Sequence, residues 1–438
     1  MPGIHYLSTR SNAPPAALSE AIVRGLAADG GLYVPNRLPA VEPAALAGIA
    51  GLAGLAAVAR AALPGFFEGD RLQPLLGEIA DAAIDMPAPT TPIAASADPL
   101  FVLELFHGPT AAYKDFGARF LAESLQRLQT PAVAPLTILV ATSGDTGGAV
   151  AAAFHRRPWV RVVILYPKGL VSPRQEQQLT CWGGNVESLR VDGTFDDCQR
   201  LVKEAFLDAA LGRRHRFSSA NSINIGRLVP QTVYYVAASL QIERRTGRPA
   251  NFVIPAGNLG NALAAVWARA MGLPIDRIVL AHNANRTVVD FLRSGEWLPR
   301  PSIATLASAM DVGNPSNMER LRALWPSWAE LRAGISADSV DDAAIRGRIR
   351  EDYRRYGREW CPHTATAAEV YSRLPAEQRG GRPWVLVATA HPAKFDEIVE
   401  PLLGKPIDVP ESLARLLRLP RKVADVAPTL QALAAAIG

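Results

Sequence analysis

Apolar residues along this 438-residue chain change their spacing near position 97. Before it they recur every three or four residues, which predicts helices at 16–26, 44–63 and 72–85. Ala28-Asp29-Gly30-Gly31 and the proline-rich stretch 87–92 read as a turn and a link, and Leu32-Tyr33-Val34 before Pro35 as a short strand. Beyond it, short runs of Val, Ile and Leu alternate with helical stretches. Strands are predicted at 100–105, 137–142, 160–166, 186–191, 252–255 and 277–281, with helices at 118–128, 149–154, 172–182, 195–211, 229–242 and 262–271. Strands spaced by helices of this length predict an α/β fold, its parallel-rich sheets flanked by helices on both faces.

Residues 319–374 break that alternation, being charged and rich in Arg and Trp, and a last strand is predicted at 383–389. The expected organisation is a mainly helical N-terminal domain and linker at 1–97, an α/β core at 98–318, a helical insertion at 319–382, and a return to the core with C-terminal helices at 383–438. No internal repeat is visible.

Composition narrows the picture. With 49% hydrophobic and 20% charged residues the chain is globular, and its length predicts two or three domains. The net charge of +5, from 46 basic against 41 acidic residues, is dispersed. The cluster Arg213-Arg214-His215-Arg216 has no interleaved aromatics, so it reads as a solvated helix end, and no nucleic-acid partner is expected. The most apolar run, 44–59, is mostly Ala and Gly and falls short of the ~20 apolar residues of a membrane span, so no membrane association is expected. Residues 1–10 lack a basic region followed by an apolar one, and the three cysteines form no CxxC pair; both point to the cytoplasm. Cys361-Pro362-His363 lacks a third and fourth ligand at zinc spacing, so no metal is expected.

Candidate chemistry centres on Phe106-His107-Gly108-Pro109-Thr110-Ala111-Ala112-Tyr113-Lys114-Asp115-Phe116-Gly117. The chain has only six lysines (114, 168, 203, 394, 405 and 422), so nearly all its positive charge is arginine. A guanidinium stays charged, whereas a desolvated ammonium gives up its proton, as a Schiff-base lysine must. A surface lysine whose stem covers an apolar patch satisfies the same local pattern. Two glycine loops, Ser143-Gly144-Asp145-Thr146-Gly147-Gly148 and Gly257-Asn258-Leu259-Gly260-Asn261, each follow a predicted strand and open a predicted helix, a place that favours anions. Neither is a Walker A loop or a GxGxxG fingerprint. Pyridoxal 5'-phosphate meets both demands, offering an aldehyde to the lysine and a phosphate to a helix start.

The chain resembles the threonine synthase family, in the branch found in enteric bacteria and fungi, among fold-type II pyridoxal-phosphate enzymes. The resemblance is carried, in order, by Tyr6-Leu7-Ser8-Thr9-Arg10, residues 25–35, the lysine segment 107–117, residues 142–147 and 220–227, Ala309-Met310-Asp311-Val312, and residues 389–395. It implies that Lys114 carries the cofactor as a Schiff base and that Phe116 lies near the cofactor ring. Gly257, Asn258, Leu259, Gly260 and Asn261 would cradle the cofactor phosphate, and Thr389 would hydrogen-bond the pyridine nitrogen. Ser143, Gly144 and Thr146 would hold the substrate carboxylate, with Asp145 on the side of the ring oxygen. Asn221, Ser222 and Arg227 match the family's substrate-phosphate motif; locally they read equally well as a helix cap and a surface charge. Tyr113 stands where Phe is common, and Ala256 where Ser often precedes the glycine loop. Lys168 and Lys394 lie in family-like segments without a chemical role.

The activity so implied is conversion of O-phospho-L-homoserine and water to L-threonine and phosphate, by γ-elimination and β-addition, in a monomer or homodimer. The alternatives are a related lyase giving 2-oxobutyrate and a non-catalytic protein that binds cofactor or metabolite.

Overall fold

The protein is described by a computed structural model covering residues 3–49, 54–129 and 134–438. Its strands in chain order are β1 (Tyr6–Ser8), β2 (Tyr33–Pro35), β3 (Thr90–Pro92), β4 (Leu100–Glu104), β5 (Leu136–Ala141), β6 (Val160–Pro167) and β7 (Val186–Val191). There follow β8 (Arg216–Ser219), β9 (Ala250–Pro255), β10 (Ile275–His282), β11 (Ser336–Ser339), β12 (Trp384–Ala388) and β13 (Ala424–Val426). A six-stranded sheet runs β11-β10-β9-β12-β4-β3, a five-stranded sheet runs β13-β7-β6-β5-β8, and β1 and β2 form an antiparallel ribbon. Within the two large sheets every pairing is parallel except β3 with β4.

The central strands explain themselves. β5, β9 and β12 read LTILVA, ANFVIP and WVLVA, and every residue of each is buried. A parallel strand covered on both faces has no use for polar alternation. The α/β architecture expected from the alternation is thus present.

Several elements depart from expectation. The segment 319–382 is not a purely helical insertion. It supplies β11, which pairs with β10, and the helix Pro362–Arg373, which packs on β9 and β12. The strand Ser-Ala-Asp-Ser is short, polar and at the sheet edge, so it carries no apolar signal. The proline-rich link contains edge strand β3, where Pro92 is tolerated. The N-terminal segment keeps no separate core. Tyr6, Ile22, Phe66 and Ile79 share one apolar cluster with Phe120, Ile138, Phe252 and Val387 from the α/β part.

Helix boundaries also moved. The 44–63 helix is two, Pro43–Ala47 and Leu55–Ala62, and residues 50–53 of that expectation lie outside the described residues. The 195–211 helix breaks after Leu207, where extended Asp208 caps Ala209–Arg214 by accepting from Leu211 N at 2.8 Å. The basic cluster ends that second helix, and its last member, Arg216, begins β8. The helix expected from 118 begins at Lys114 itself.

Trp384 opens β12 in the middle of the large sheet, opposite Leu100 and Asn251, fully buried, with its indole N–H donated to Gln378 O at 3.2 Å. Trp384→Ala is expected to destabilise the fold by about 3–5 kcal/mol. Urea unfolding followed by far-UV circular dichroism checks this, and a midpoint unchanged from the parent contradicts it.

Candidate active site

Parallel strands collect their following loops at their C-terminal ends, and ligands settle there. In this chain β4 leads to the lysine segment, β5 to the 142–148 loop, β9 to the 256–261 loop and β12 to Thr389. One cleft between the two sheets is lined by all four. The lysine and Thr389 segments are tied to each other by an Ala112–Ala390 bridge and by bonds from Tyr113 N to Thr389 O (2.9 Å) and His391 N to Ala111 O (3.0 Å). Thr110 gives its N–H and hydroxyl to Asp115 at 2.9 and 2.6 Å, closing the loop on the first turn of the helix Lys114–Leu128.

The cleft brings together Lys114, Ser143, Asp145, Thr146, Asn221, Ser222, Arg227, Gly257, Asn258, Leu259, Gly260, Asn261 and Thr389. Two expected members are not on its wall. Phe116 sits two residues into the helix, some 200° around from Lys114 at ~100° per residue. It is fully buried, with its ring edge-on to Tyr234 at 5.3 Å. Gly144 is required for its backbone: its φ is +133°, and a Cβ there would meet the Gln175 side chain at 2.6 Å. Its N–H is already given to Thr142 Oγ1 at 3.0 Å, as is that of Gly147 at 2.9 Å, so it has no donor left for a carboxylate.

Burial pushes the Lys114 ammonium down to about 8; the Asp145 carboxylate pulls it up, and Arg227 and Lys394 push it further down. Asp145 is buried too, and burial opposes its charge. The nearby charges of Lys394 and Lys114 outweigh that and hold its carboxyl far below the usual range. Asp145 Oδ1 accepts from Lys394 Nζ at 2.8 Å and from Gln175 Nε2 at 2.9 Å. Lys394, fully buried, also donates to Thr110 O at 2.8 Å, so its ammonium links the lysine loop to the 142–148 loop. Lys394 thereby gains the role its sequence position left open. Lys168 stays exposed, away from the cleft.

Also lining the cleft, the start of the helix Gly260–Ala270 follows Leu259, a left-handed residue at φ +64°. None of the backbone N–H groups of Gly257, Asn258, Leu259, Gly260 and Asn261 donates to another described residue. Gly257 allows close approach, because a Cβ there would lie 2.7 Å from Met310 Cα. Tyr234 and Tyr235 give their hydroxyls to Asn261 Oδ1 at 2.6 and 3.0 Å, leaving buried Nδ2 without a partner. Nearby, burial pushes Arg227 down to about 10; it binds Ala220 O through one Nη, and its buried Nε has no partner. Ser222 accepts from Asn258 Nδ2 at 2.7 Å, while Asn221 gives its amide to Ala141 O at 2.8 Å. Buried Arg320 holds the Ser222 and Ile223 carbonyls at 3.1 and 2.6 Å. The sequence singled out none of four further residues as part of the site: Arg320 and Gln175, which bond cleft residues, and Gln231 and His363, which line the cleft. Their signal is spatial, except that Cys361-Pro362-His363 stood out as an apparent ligand pair.

Comparison with known proteins decides the family. Residues 87–390 match the model of the pyridoxal-phosphate dependent enzymes, 5–83 that of the threonine synthase N terminus, and 364–437 that of the threonine synthase C-terminal region. The chain is 41% identical over 407 residues to threonine synthase of Escherichia coli, covering 92% of each. The chain belongs to the threonine synthase family. Threonine synthase of Saccharomyces cerevisiae is 32% identical over 493 residues, covering 95% of this chain and 94% of its own. The crystal structure of threonine synthase from E. coli matches with a TM-score of 0.90 at 37% identity, over 99% of both chains. The pyridoxal-phosphate-bound threonine synthase from Brucella melitensis matches with 0.88 at 32%, also over 99% of both. As a member of this threonine synthase family the chain is a pyridoxal-phosphate dependent lyase of fold type II.

The residues present fit that cofactor. An amine whose pKa burial lowers to about 8 shares the cleft with a glycine cradle of five undonated N–H groups and an orphaned Asn261 amide. The Thr389 hydroxyl bonds no described residue and lines the same cleft.

Only the neutral amine attacks an aldehyde, and burial favours the neutral form. Uptake of pyridoxal phosphate by cofactor-free protein is therefore expected to accelerate as pH rises through about 8, where the ammonium loses its proton. Stopped-flow absorbance checks this. A midpoint near the ordinary lysine value of 10.5 contradicts it.

Proposed function

We propose that this chain converts O-phospho-L-homoserine and water to L-threonine and phosphate, with pyridoxal 5'-phosphate bound through Lys114. The observation that carries the reading is one cleft holding a buried lysine of lowered pKa together with buried unpartnered donors at two of its residues, Asn261 Nδ2 and Arg227 Nε. A cofactor phosphate and a substrate phosphate need two such anion sites.

Gly257, Asn258, Leu259, Gly260 and Asn261 take the cofactor phosphate in this reading, and Thr389 meets its ring nitrogen with a neutral hydroxyl. Bound there, the cofactor supplies an electron sink for negative charge developing at the substrate's Cα. Lys114, displaced by the substrate amine, removes the proton at Cα and then carries a proton at Cβ; an amine titrating near 8 is efficient at both. Ser143 and Thr146 hold the substrate carboxylate at the start of the helix Asp145–Phe154. Lys394 neutralises Asp145, so the carboxylate is not repelled from that wall. Arg227, with Asn221 and Ser222, binds the phosphate that leaves from Cγ; its buried guanidinium is a charged donor already desolvated. Enclosure between the sheets limits water until Cβ is ready for it.

We place the enzyme in the cytoplasm, as a monomer or homodimer. Among the described residues no helix is long and apolar enough to cross a membrane, and all three cysteines are free and buried.

Purified protein given O-phospho-L-homoserine is expected to release phosphate and threonine in equal amounts. Phosphate accompanied by 2-oxobutyrate alone contradicts the reading in favour of a simple lyase, and absence of turnover in cofactor-loaded protein contradicts it in favour of a binder. Arg227→Ala is expected to raise KM for the phosphorylated substrate about 10–100-fold with a smaller effect on kcat, the scale of a lost charge-assisted hydrogen bond. Steady-state kinetics check this, and an unchanged KM removes Arg227 from phosphate binding.

A further inference from the structure

His363 is the second residue of the helix Pro362–Arg373 and lines the cleft, yet the reading above gives it no task. Its Nε2 lies 3.1 Å from the backbone N of Ala309. A backbone N–H can only donate, so Nε2 carries no proton, and a neutral ring must carry its proton on Nδ1. Burial keeps the ring neutral, pushing it down to about 4. The ring is only 2% exposed, and Nδ1 has no partner among the described residues. The tautomer is thus fixed by an obligatory donor, and the result is a buried N–H with nothing to bond.

Such orphaned groups are rare in native structures, and a bound molecule is one way to complete them. The surroundings narrow what that molecule presents. The ring feels Asp145, Lys114 and Lys394, the charges grouped at the heart of the cleft, and packs against Phe395 with ring centroids 5.0 Å apart. Asp145 makes no hydrogen bond with it; Oδ1 of that carboxylate is held by Lys394 and Gln175. The bonded partner, Ala309, belongs to the segment whose neighbour Met310 presses on Gly257.

We infer that His363 is a ligand-binding residue of this cleft, its Nδ1–H donating to an anionic oxygen of the molecule held over Lys114. This rests on the family reading of the cleft. Two oxygens have the required chemistry: the ring oxygen of the cofactor and the carboxylate of the amino-acid substrate. A neutral donor suits either, since it adds no positive charge beside Lys114.

The test follows the histidine nitrogens of ¹⁵N-labelled protein by NMR, without cofactor, with pyridoxal phosphate, and then with a phosphonate analogue of O-phospho-L-homoserine in which a methylene replaces the ester oxygen. The Nδ1–H signal is expected to move and gain protection from exchange. Movement on adding cofactor alone assigns the ring oxygen; movement only with the analogue assigns the carboxylate. Two variants separate binding from structure. His363→Gln keeps an acceptor for Ala309 but drops the Nδ1–H, and is expected to weaken binding of that ligand about tenfold. His363→Asn puts an amide N–H near the Nδ1 position and is expected to recover most of the loss. Rescue by Gln instead of Asn assigns a purely structural role and overturns the inference. So does an Nδ1 signal that neither ligand moves in protein that takes up cofactor. Protein that takes up no pyridoxal phosphate overturns the family reading of the cleft, and this inference with it.

Discussion

Withdrawing the Lys114 amine from water is the constraint on which the rest of the cleft depends. A buried ammonium loses solvation worth several kcal/mol, and its proton becomes easy to remove. With Arg227 and Lys394 also buried nearby, three cations share a poorly solvated region, and Asp145 is the one carboxylate shown acting on the lysine. That carboxylate is held by Lys394 and Gln175. Removing one partner of such a buried pair typically costs about 3–5 kcal/mol, because the other charge is left uncompensated. Lys394 thus lets an ionised aspartate stand beside a lysine whose pKa is lowered to about 8.

That arrangement needs loops from two sheets, and the fold supplies them through strand direction. Because they run parallel, β4, β9 and β12 deliver their following loops to one end of their sheet, and β5 of the other sheet brings the 142–148 loop to the same cleft. The N-terminal segment and the 319–382 stretch both serve this geometry. The first fills the apolar cluster that joins the sheets, and the second provides Arg320 and His363, which hold the 222–223 and 309 backbones.

Much of this was legible in the chain. Central strands, the glycine loops and the isolated lysine have local signatures, and thirteen of the fifteen expected site residues line one cleft. Phe116 is not among the residues lining the cleft, because sequence proximity to Lys114 says nothing about which way a helix turns. Gly144 was given a ligand, but its N–H is spent on Thr142 two residues earlier. Edge strands β8, β11 and β13 escaped notice because short, partly polar strands lack an apolar period. His363 and Lys394 reach the cleft from distant parts of the chain, and nothing local announces a partner 54 residues away at Ala309 or a carboxylate at Asp145.

The central claim is that one cleft sorts an amine-reactive carbonyl and two phosphates into three separate places. A crystal structure of the cofactor-loaded protein with the phosphonate analogue bound tests it most directly. The account predicts a covalent bond from Lys114 Nζ or the analogue's amine to the cofactor carbonyl carbon. It also predicts the cofactor phosphate on the 257–261 amides and the phosphonate on Arg227. A cofactor phosphate seated on Arg227, or a phosphonate bound away from it, would contradict the account.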